Sequence, residues 1–371
     1  MTPPPADTSN TPHTADTSDE RATRLVSAAY RIADEILFPA AAEVDRSGVI
    51  PDSHWTALAE AGLFGIAAPE AVGGPALEFT QILEIQEVLA SGCLPTAFTW
   101  LQHHGVVIAL ASTTNTALRE ELLAATISGH TRAGVAYAGV VPTPPRMTAS
   151  RTTDGGWLID GYAPFVSGWG IVDILAISAR DIETDDVLTA IIPADLATPE
   201  ISATPMDLIA GNATRTAFLR VSGLRVDDAQ IVSRISLRDF FAGQNIGLRI
   251  NGTLPFGIVR RATALLEQTT DDDHRSITAA RSLRRRAGEV RTRLDAGIAD
   301  ADTLLAARAE AAALAVDAAA TLVSAYGGKA LLRGHDAERL ARESMFTLVA
   351  ASRPQVKDLL VDNFSGISTQ S

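Results

Sequence analysis

The spacing of apolar residues changes character twice along the chain. From Glu20 to about Ser128 it has a helical period. Val26, Ala29, Ala33, Ile36 and Leu37 recur at three and four before Pro39 interrupts. Pro51, Asp52 and Ser53 make a helix start, Trp55, Leu58 and Ala59 share its face, and Gly62 stops it. After a loop at Gly73 and Gly74, a helix carrying Phe79, Ile82, Leu83 and Leu89 is predicted to end at Gly92. A strongly apolar helix follows over 95–111, and another holds Leu118, Leu122, Leu123 and Ile127.

From about Thr131 to Val232 the pattern shortens. β-rich runs at 157–159, 171–177, 187–192 and 216–221 are separated by turn residues, the first of them Asp154, Gly155 and Gly156. Pro142, Pro144 and Pro145 exclude a regular central strand where they stand. From Ile235 to about Leu360 the helical period returns in long Ala-, Leu- and Arg-rich stretches, interrupted at Gly327, Gly328 and Gly334. The expected organisation is α+β. A disordered, Pro- and Thr-rich tail over 1–19 precedes an N-terminal helical domain over 20–130. A central antiparallel β domain over 131–232 and a C-terminal helical bundle over 233–371 follow.

Composition narrows the function. Hydrophobic residues make up 46% of the chain but aromatics only 5%, so the apolar mass is aliphatic and suits closely packed helices. A net charge of −13 argues against nucleic-acid binding. One basic run, 281–293, sets six arginines against the single acid Glu289. It fits a solvated helix face or a site for cofactor or coenzyme A phosphates. The single cysteine, Cys93, excludes an internal disulfide and a cysteine-based metal site, so no metal is expected and a reducing cytoplasm suits the chain. No apolar run reaches the length of a membrane span, and the N-terminus lacks the pattern of a secretory signal.

Three segments, in order, carry a family resemblance. The first is FPAAAEVDRSGVIPDSHWTALAEAGLFGIAAPEAVGG (38–74), the second DGGWLIDGYAPFVSGWGIVDILAISAR (154–180), and the third AYGGKALLRGHDAERLARES (325–344). Together the chain resembles the acyl-CoA dehydrogenase superfamily over about 29–361. The resemblance implies an N-terminal helical domain, a β domain and a C-terminal four-helix bundle that assembles as a homo-oligomer, or as a hetero-oligomer with a catalytic homologue. It implies FAD as cofactor and an acyl-CoA-like small molecule as ligand, with no nucleic acid or membrane partner.

The resemblance also assigns residues. Phe165, Val166 and Ser167 stand where the family's Trp-Ile-Thr stretch borders the flavin, and Gly327 and Gly328 match a Gly-Gly segment near the nucleotide, though such a pair also serves as a plain helix stop. Trp100, His103 and His104 lie on a helix that borders the acyl pocket, where a histidine is either a satisfied core group or a polar pocket residue. Arg249 lies one residue from a position that contacts the coenzyme A chain. No catalytic residue is found. The family's glutamate base falls at Ala351, its alternative position at Gly247, and neither side chain takes a proton. The flavin loop of the family is replaced by AYAGVVPTPP (136–145), and its pyrophosphate-binding Arg-x-x-Phe has no match near 271–275.

Three functions fit this pattern: a flavin-dependent oxidoreductase of acyl thioesters with a base not yet located, a non-catalytic partner subunit of a heteromeric acyl-CoA dehydrogenase, and a flavin monooxygenase or N-hydroxylase.

Overall fold

A computed structural model describes residues 18–269, 274–351 and 353–367. The expected tail lies outside the described residues except for Ser18 and Asp19, which open the first helix, and so do Asp271, Asp272 and Asp273.

The N-terminal unit runs α1 (Ser18–Ile32), a π-helical turn (Ala33–Leu37), α2 (Phe38–Ser47), α3 (Asp52–Glu60), α4 (Phe79–Gly92), α5 (Leu94–Ser112) and α6 (Thr116–Ser128). Pro39 does not end a helix as its position suggested. It occupies the first turn of α2, where a missing N–H costs nothing. Gly62 caps α3 in the left-handed conformation, with φ of 72°. At Gly92 a Cβ would sit 2.8 Å from the carbonyl oxygen of Ala33, so the end of α4 depends on a bare backbone to pack against the π turn.

The middle unit is one sheet of β1 (Ala133–Ala136), β2 (Met147–Arg151), β3 (Trp157–Val166), β4 (Ile174–Asp181), β5 (Val187–Pro193), β6 (Ile201–Pro205), β7 (Ala217–Val226) and β8 (Ile231–Ile235). The order is β6-β7-β3-β2-β4-β5-β8, with β1 alongside β4. Pairing is largely antiparallel, but β1–β4 and β2–β4 are parallel, so the sheet is mixed. The run expected from Ile171 starts only at Ile174. The amides of Ile171 and Val172 instead donate to the Gly168 carbonyl in a turn. The proline-bearing loop stays outside the strands, as its missing donors require.

The C-terminal unit holds α7 (Leu237–Asn251), α8 (Leu254–Glu267), α9 (His274–Ala296), α10 (Ala301–Tyr326), α11 (Asp336–Val349) and α12 (Pro354–Ser365). α10 is the central member and packs against α8, α9 and α11. Its buried face is a row of alanines from Ala307 to Ala319, which lets neighbouring backbones approach closely. By length and composition the stretch Ala301–Leu331 is apolar enough to cross a membrane, which the sequence reading had discounted. Here that apolarity is spent on the bundle. α4 packs on α8, and one continuous core runs from Leu25 in α1 to Leu360 in α12, so the two helical units share an interior while the sheet keeps its own.

The basic run on α9 is an ion-paired helix surface. Arg286 pairs with Asp317 at 2.7 Å, Arg291 with Glu87 at 2.8 Å and Arg285 with Glu289 at 2.6 Å, while Arg284 pairs with Glu267 and Arg293 with Glu310. Exposed pairs of this kind contribute little individually.

Candidate active-site cleft

β3 ends by presenting two neighbouring side chains in opposite senses. Val166 is buried in the sheet core, while Phe165 is 64% exposed and has a φ of 56°. A non-glycine residue in the left-handed region costs on the order of 1–3 kcal/mol. The strain therefore holds a bulky ring out into open space. Arg215, with φ of 48°, lies in the adjoining turn. Between them runs a chain of hydroxyls. Ser167 Oγ is 2.6 Å from Thr216 Oγ1, which is 2.7 Å from Thr214 Oγ1, and the Gly168 amide donates to the Thr214 carbonyl at 2.7 Å. The same turn meets the helices at Gly211, where a Cβ would be 3.1 Å from the Phe346 ring of α11. Phe346 packs edge-on against Phe98 of α5 at 5.0 Å. The end of β3 is thus where the sheet, α5 and α11 converge.

The second segment to which the sequence points is the loop from α11 to α12. Arg308 of α10, fully buried, donates through Nη2 to the carbonyls of Thr347 at 2.9 Å and Ala350 at 3.3 Å. It thereby caps the C-terminal end of α11, where a cation complements the helix dipole. Its Nε and Nη1 have no hydrogen-bond partner among the described residues, and burial pulls the guanidinium down to about 10. Ala351 follows, left-handed at φ 48°. Arg353 then reaches across to α7, its Nη1 donating to Asn245 Oδ1 at 3.3 Å. It lies near enough to Tyr137, just past β1, for its charge to draw the phenol pKa down against the larger upward push of burial. Sequence reasoning assigned no role to Tyr137, Asn245, Arg308 or Arg353. Glu343, the acid nearest this loop on α11, is buried and held by Arg339 at 3.1 Å, and burial pushes its carboxyl above the ordinary range.

The other sequence-predicted positions lie apart. Trp100 is fully buried on α5, with its indole N–H unpartnered among the described residues. His103 is also buried. Its Nδ1 accepts from the Ala133 amide at 3.0 Å, which makes Nε2 the protonated nitrogen, donating to the Thr126 carbonyl at 3.1 Å. Both ring nitrogens are committed to backbone, the arrangement of a satisfied core group, which leaves neither for a pocket contact. Burial lowers its pKa to about 4. His104 stacks edge-on against Trp100 at 4.4 Å and is held neutral by burial and by His103. Arg249 turns into the bundle and pairs with Asp295 of α9 at 2.6 Å, so its guanidinium ties α7 to α9. Gly327 combines φ of 61° with ψ of −143°, a conformation that demands glycine, and a Cβ at either Gly327 or Gly328 would meet nothing within 4 Å. That turn packs against α10 and α11.

Two surface cavities lie elsewhere. One of about 780 Å³ is lined by Arg151, Trp157, Asp181 and Arg234 among others, and a second of about 580 Å³ lies between the π turn and α8, beside Asp34, Phe38, Arg260 and Arg261. Neither is lined by Phe165, by the turn that follows β3 or by the described residues of the α11–α12 loop. No group of three or more potential metal ligands occurs among the described residues.

A helical unit, a mixed sheet and a helical bundle, converging near the end of β3, define the class of fold. Residues 19–130 match the family described as acyl-CoA dehydrogenase, N-terminal domain. The chain is 26% identical over 160 residues to benzylmalonyl-CoA dehydrogenase of Aromatoleum aromaticum (strain DSM 19018 / LMG 30748 / EbN1), which is 40% of this chain and 41% of that relative. Its fold is similar along nearly its whole length to butyryl-CoA dehydrogenase from Megasphaera elsdenii, with a TM-score of 0.78 and 16% identity over 95% of this chain and 99% of that one. It is similar also to a nitrososynthase from Micromonospora carbonacea var. africana, with a TM-score of 0.74 and 20% identity over 95% and 97%. The chain thus matches the acyl-CoA dehydrogenase N-terminal domain over residues 19–130 and shares the acyl-CoA dehydrogenase fold along nearly its whole length.

Proposed function

We propose that this chain is an acyl-CoA dehydrogenase-fold subunit that offers a flavin- and thioester-binding cleft, does not itself abstract the substrate proton, and works in an assembly with a base-bearing homologue. The observation that carries this reading is Ala351. The loop that would hold the base is anchored by a buried arginine and ends in a methyl group. A positioned base contributes roughly 10²–10⁴-fold to proton transfer, and the methyl contributes none of it.

The residues present fit a flavin. Phe165 offers an exposed aromatic face fixed by a strained backbone, the Ser167–Thr216–Thr214 hydroxyls lie beside it, and the backbone at Gly327 and Gly328 is open. Flavin, when bound, supplies the hydride acceptor; the chain's own part is to cover the ring, orient it and exclude water. Assembly is supported by large apolar side chains left exposed on the bundle, among them Leu331, Leu332, Met345, Val349, Val361 and Phe364.

A missing carboxylate also suits a flavin monooxygenase, in which reduced flavin and oxygen perform the chemistry. The visible flavin absorbance of the purified protein, recorded with its mass in solution, separates the readings. The partner-subunit reading expects fewer flavins than chains, and negligible acyl-CoA dehydrogenation by the chain alone with an artificial electron acceptor. A homo-oligomer with one flavin per chain and robust dehydrogenation would overturn it. Rapid oxygen uptake by the flavin-reduced chain would favour the monooxygenase.

A further inference from the structure

We infer that the cavity between the π turn, α8 and α9 is a second ligand site, which receives an oxyanion-bearing small molecule through Arg260. None of its lining residues belongs to the cleft proposed above, and its test does not depend on flavin. The cavity measures about 580 Å³, within the roughly 300–1,000 Å³ of ordinary small-molecule pockets. Asp34 and Phe38 come from the π turn and the start of α2, Arg260, Arg261, Ala264 and Gln268 from α8 and its C-terminal cap, and Arg284 from α9.

Three guanidiniums and one carboxylate line the cavity, so its walls carry an excess of positive charge. Two of the cations are engaged. Arg261 pairs with Asp34 at 2.6 Å, donates to the Ser91 carbonyl at 2.8 Å and lies over the Phe38 ring at 3.9 Å. Arg284 is matched by Glu267. Arg260 has no carboxylate partner among the described residues. Its guanidinium lies over the Tyr30 ring at 4.5 Å, and Nη1 reaches the Tyr30 oxygen only at 3.5 Å. Tyr30 donates its own hydrogen to Glu84 at 2.9 Å, so the phenol stands between that carboxylate and the arginine. An aromatic ring engages the flat face of a guanidinium and leaves its in-plane N–H groups to other partners. A carboxylate or phosphate accepts such a fork through two parallel hydrogen bonds. One turn beyond Arg260, Ala264 fills little of the space, and a further turn on, Gln268 offers a neutral amide donor to another oxygen.

Phosphate and carboxylate ligands share this chemistry, and inorganic phosphate, glycerol 3-phosphate and citrate tell them apart. Their binding to the full-length protein is measured by titration calorimetry at low salt, with melting temperatures recorded alongside. The parent is compared with Arg260→Gln, Arg260→Lys and Arg286→Gln. Arg286 lies on α9 outside the cavity, paired with Asp317, so its variant removes one positive charge from the neighbouring helix without touching the site. We expect at least one probe to bind the parent and Arg260→Gln to weaken it about tenfold or more. Arg260→Lys should keep part of the affinity, and Arg286→Gln should change it less than about twofold, because a charge-assisted fork acts at contact and a surface charge at a distance is screened. Binding of the phosphates alone assigns a phosphate ligand, and of citrate alone a carboxylate. Should Arg260→Gln melt well below the parent, Arg260→Lys carries the test, since it keeps the charge and loses the fork; unaltered affinity there overturns the inference. No binding of any probe to the parent at millimolar concentration overturns it too, and so does equal weakening by Arg260→Gln and Arg286→Gln, which would make the attraction a diffuse field.

Discussion

Helix α5 carries a tryptophan and two histidines and turns all three into the core, whereas the α11–α12 loop sets two alanines ahead of Arg353, which reaches across to α7. On α5 the polar atoms are consumed or enclosed. His103 joins α6 to β1 through two backbone hydrogen bonds, and His104 and Trp100 pack on each other. On the loop the backbone is positioned with as much care, by Arg308 beneath it and a left-handed residue at Ala351, but no proton-transferring group stands at its tip. Residue type marks chemistry only where placement leaves an atom free to act. The helix has the types without the placement, and the loop the placement without the type.

Acid should break the α5 half of this comparison, with the largest effect on stability. His103, and His54 of α3, whose Nδ1 lies 2.9 Å from Thr96 Oγ1 of α5, are held near 4 by burial, against 6.5 when unfolded, and His104 is lowered further. The unfolded chain therefore binds protons that the folded chain refuses. The stability these groups contribute is fully present above pH 6.5 and is lost as pH falls towards 4. At 1.36 kcal/mol per unit, His103 accounts for about 3 kcal/mol across that window, and the less enclosed His54 for a smaller, solvent-screened share, against the roughly 5–15 kcal/mol that holds a typical domain folded. Urea melts at intervals from pH 7.5 to 4.5 should show a steep fall, and His103→Gln should flatten part of it. A parallel fall in that variant would mean that His103 does not titrate with unfolding.

The loop half is sharpened by Ala351→Glu. Its backbone already accepts a side chain in the left-handed region, so glutamate adds little new strain. If this position faces the reacting carbon, dehydrogenation of short acyl-CoAs by the flavin-loaded assembly should rise about 10²–10⁴-fold, followed with an artificial acceptor. No gain in a folded, flavin-loaded variant would show that the loop no longer addresses the substrate.

Much of the fold was legible because long periodic helices advertise their faces. α4 and α5 lie within a residue or so of where their apolar spacing put them. β1, β2, β6 and β8 were not legible. Each has four or five residues, too few to establish an alternation, and β1 is Ala-Gly-Val-Ala, with little β preference of its own. At the site, the loss of the base at Ala351 could be read from the chain, but the Arg353–Asn245 contact spans 108 residues and exists only once the bundle has closed. His103 left two readings open, a satisfied core group or a pocket residue, because burial and backbone partners cannot be seen in a string of letters. Arg308 was findable in principle, as a lone cation on the alanine face of an apolar helix.

That lone cation supplies the next test. Arg308→Ala removes the donor to Thr347 and Ala350 and leaves a hole beneath the loop, so a loss of about 2–3 kcal/mol is expected in urea melts. Arg308→Met keeps the stem volume and removes a buried charge with no carboxylate partner among the described residues. Its cost should stay under about 1.5 kcal/mol, because replacing a buried ion by an apolar group of similar volume is often close to neutral. Equal losses in the two variants would show that capping α11, and not packing, is what Arg308 contributes.

The smallest effect on stability is expected on the sheet rim, where it carries the most information about the ligand. Phe165 sits at φ 56° with its ring largely exposed, so the fold gains little from burying it and pays for its backbone. Glycine adopts that conformation without a Cβ clash, although it loses more freedom on folding. The two contributions oppose each other, and Phe165→Gly should shift stability by no more than about 1 kcal/mol, in the stabilising direction if the strain is the larger. Phe165→Ala keeps the strain and loses the ring. If the ring exists to cover a flavin, both variants should purify with less flavin per chain than the parent, while only Phe165→Gly matches or exceeds its melting temperature. Undiminished flavin in both would remove Phe165 from the cofactor site. A marked drop in melting temperature for Phe165→Gly would show that the ring is a packing residue, covered in the assembly by another chain, and that its strain is repaid there.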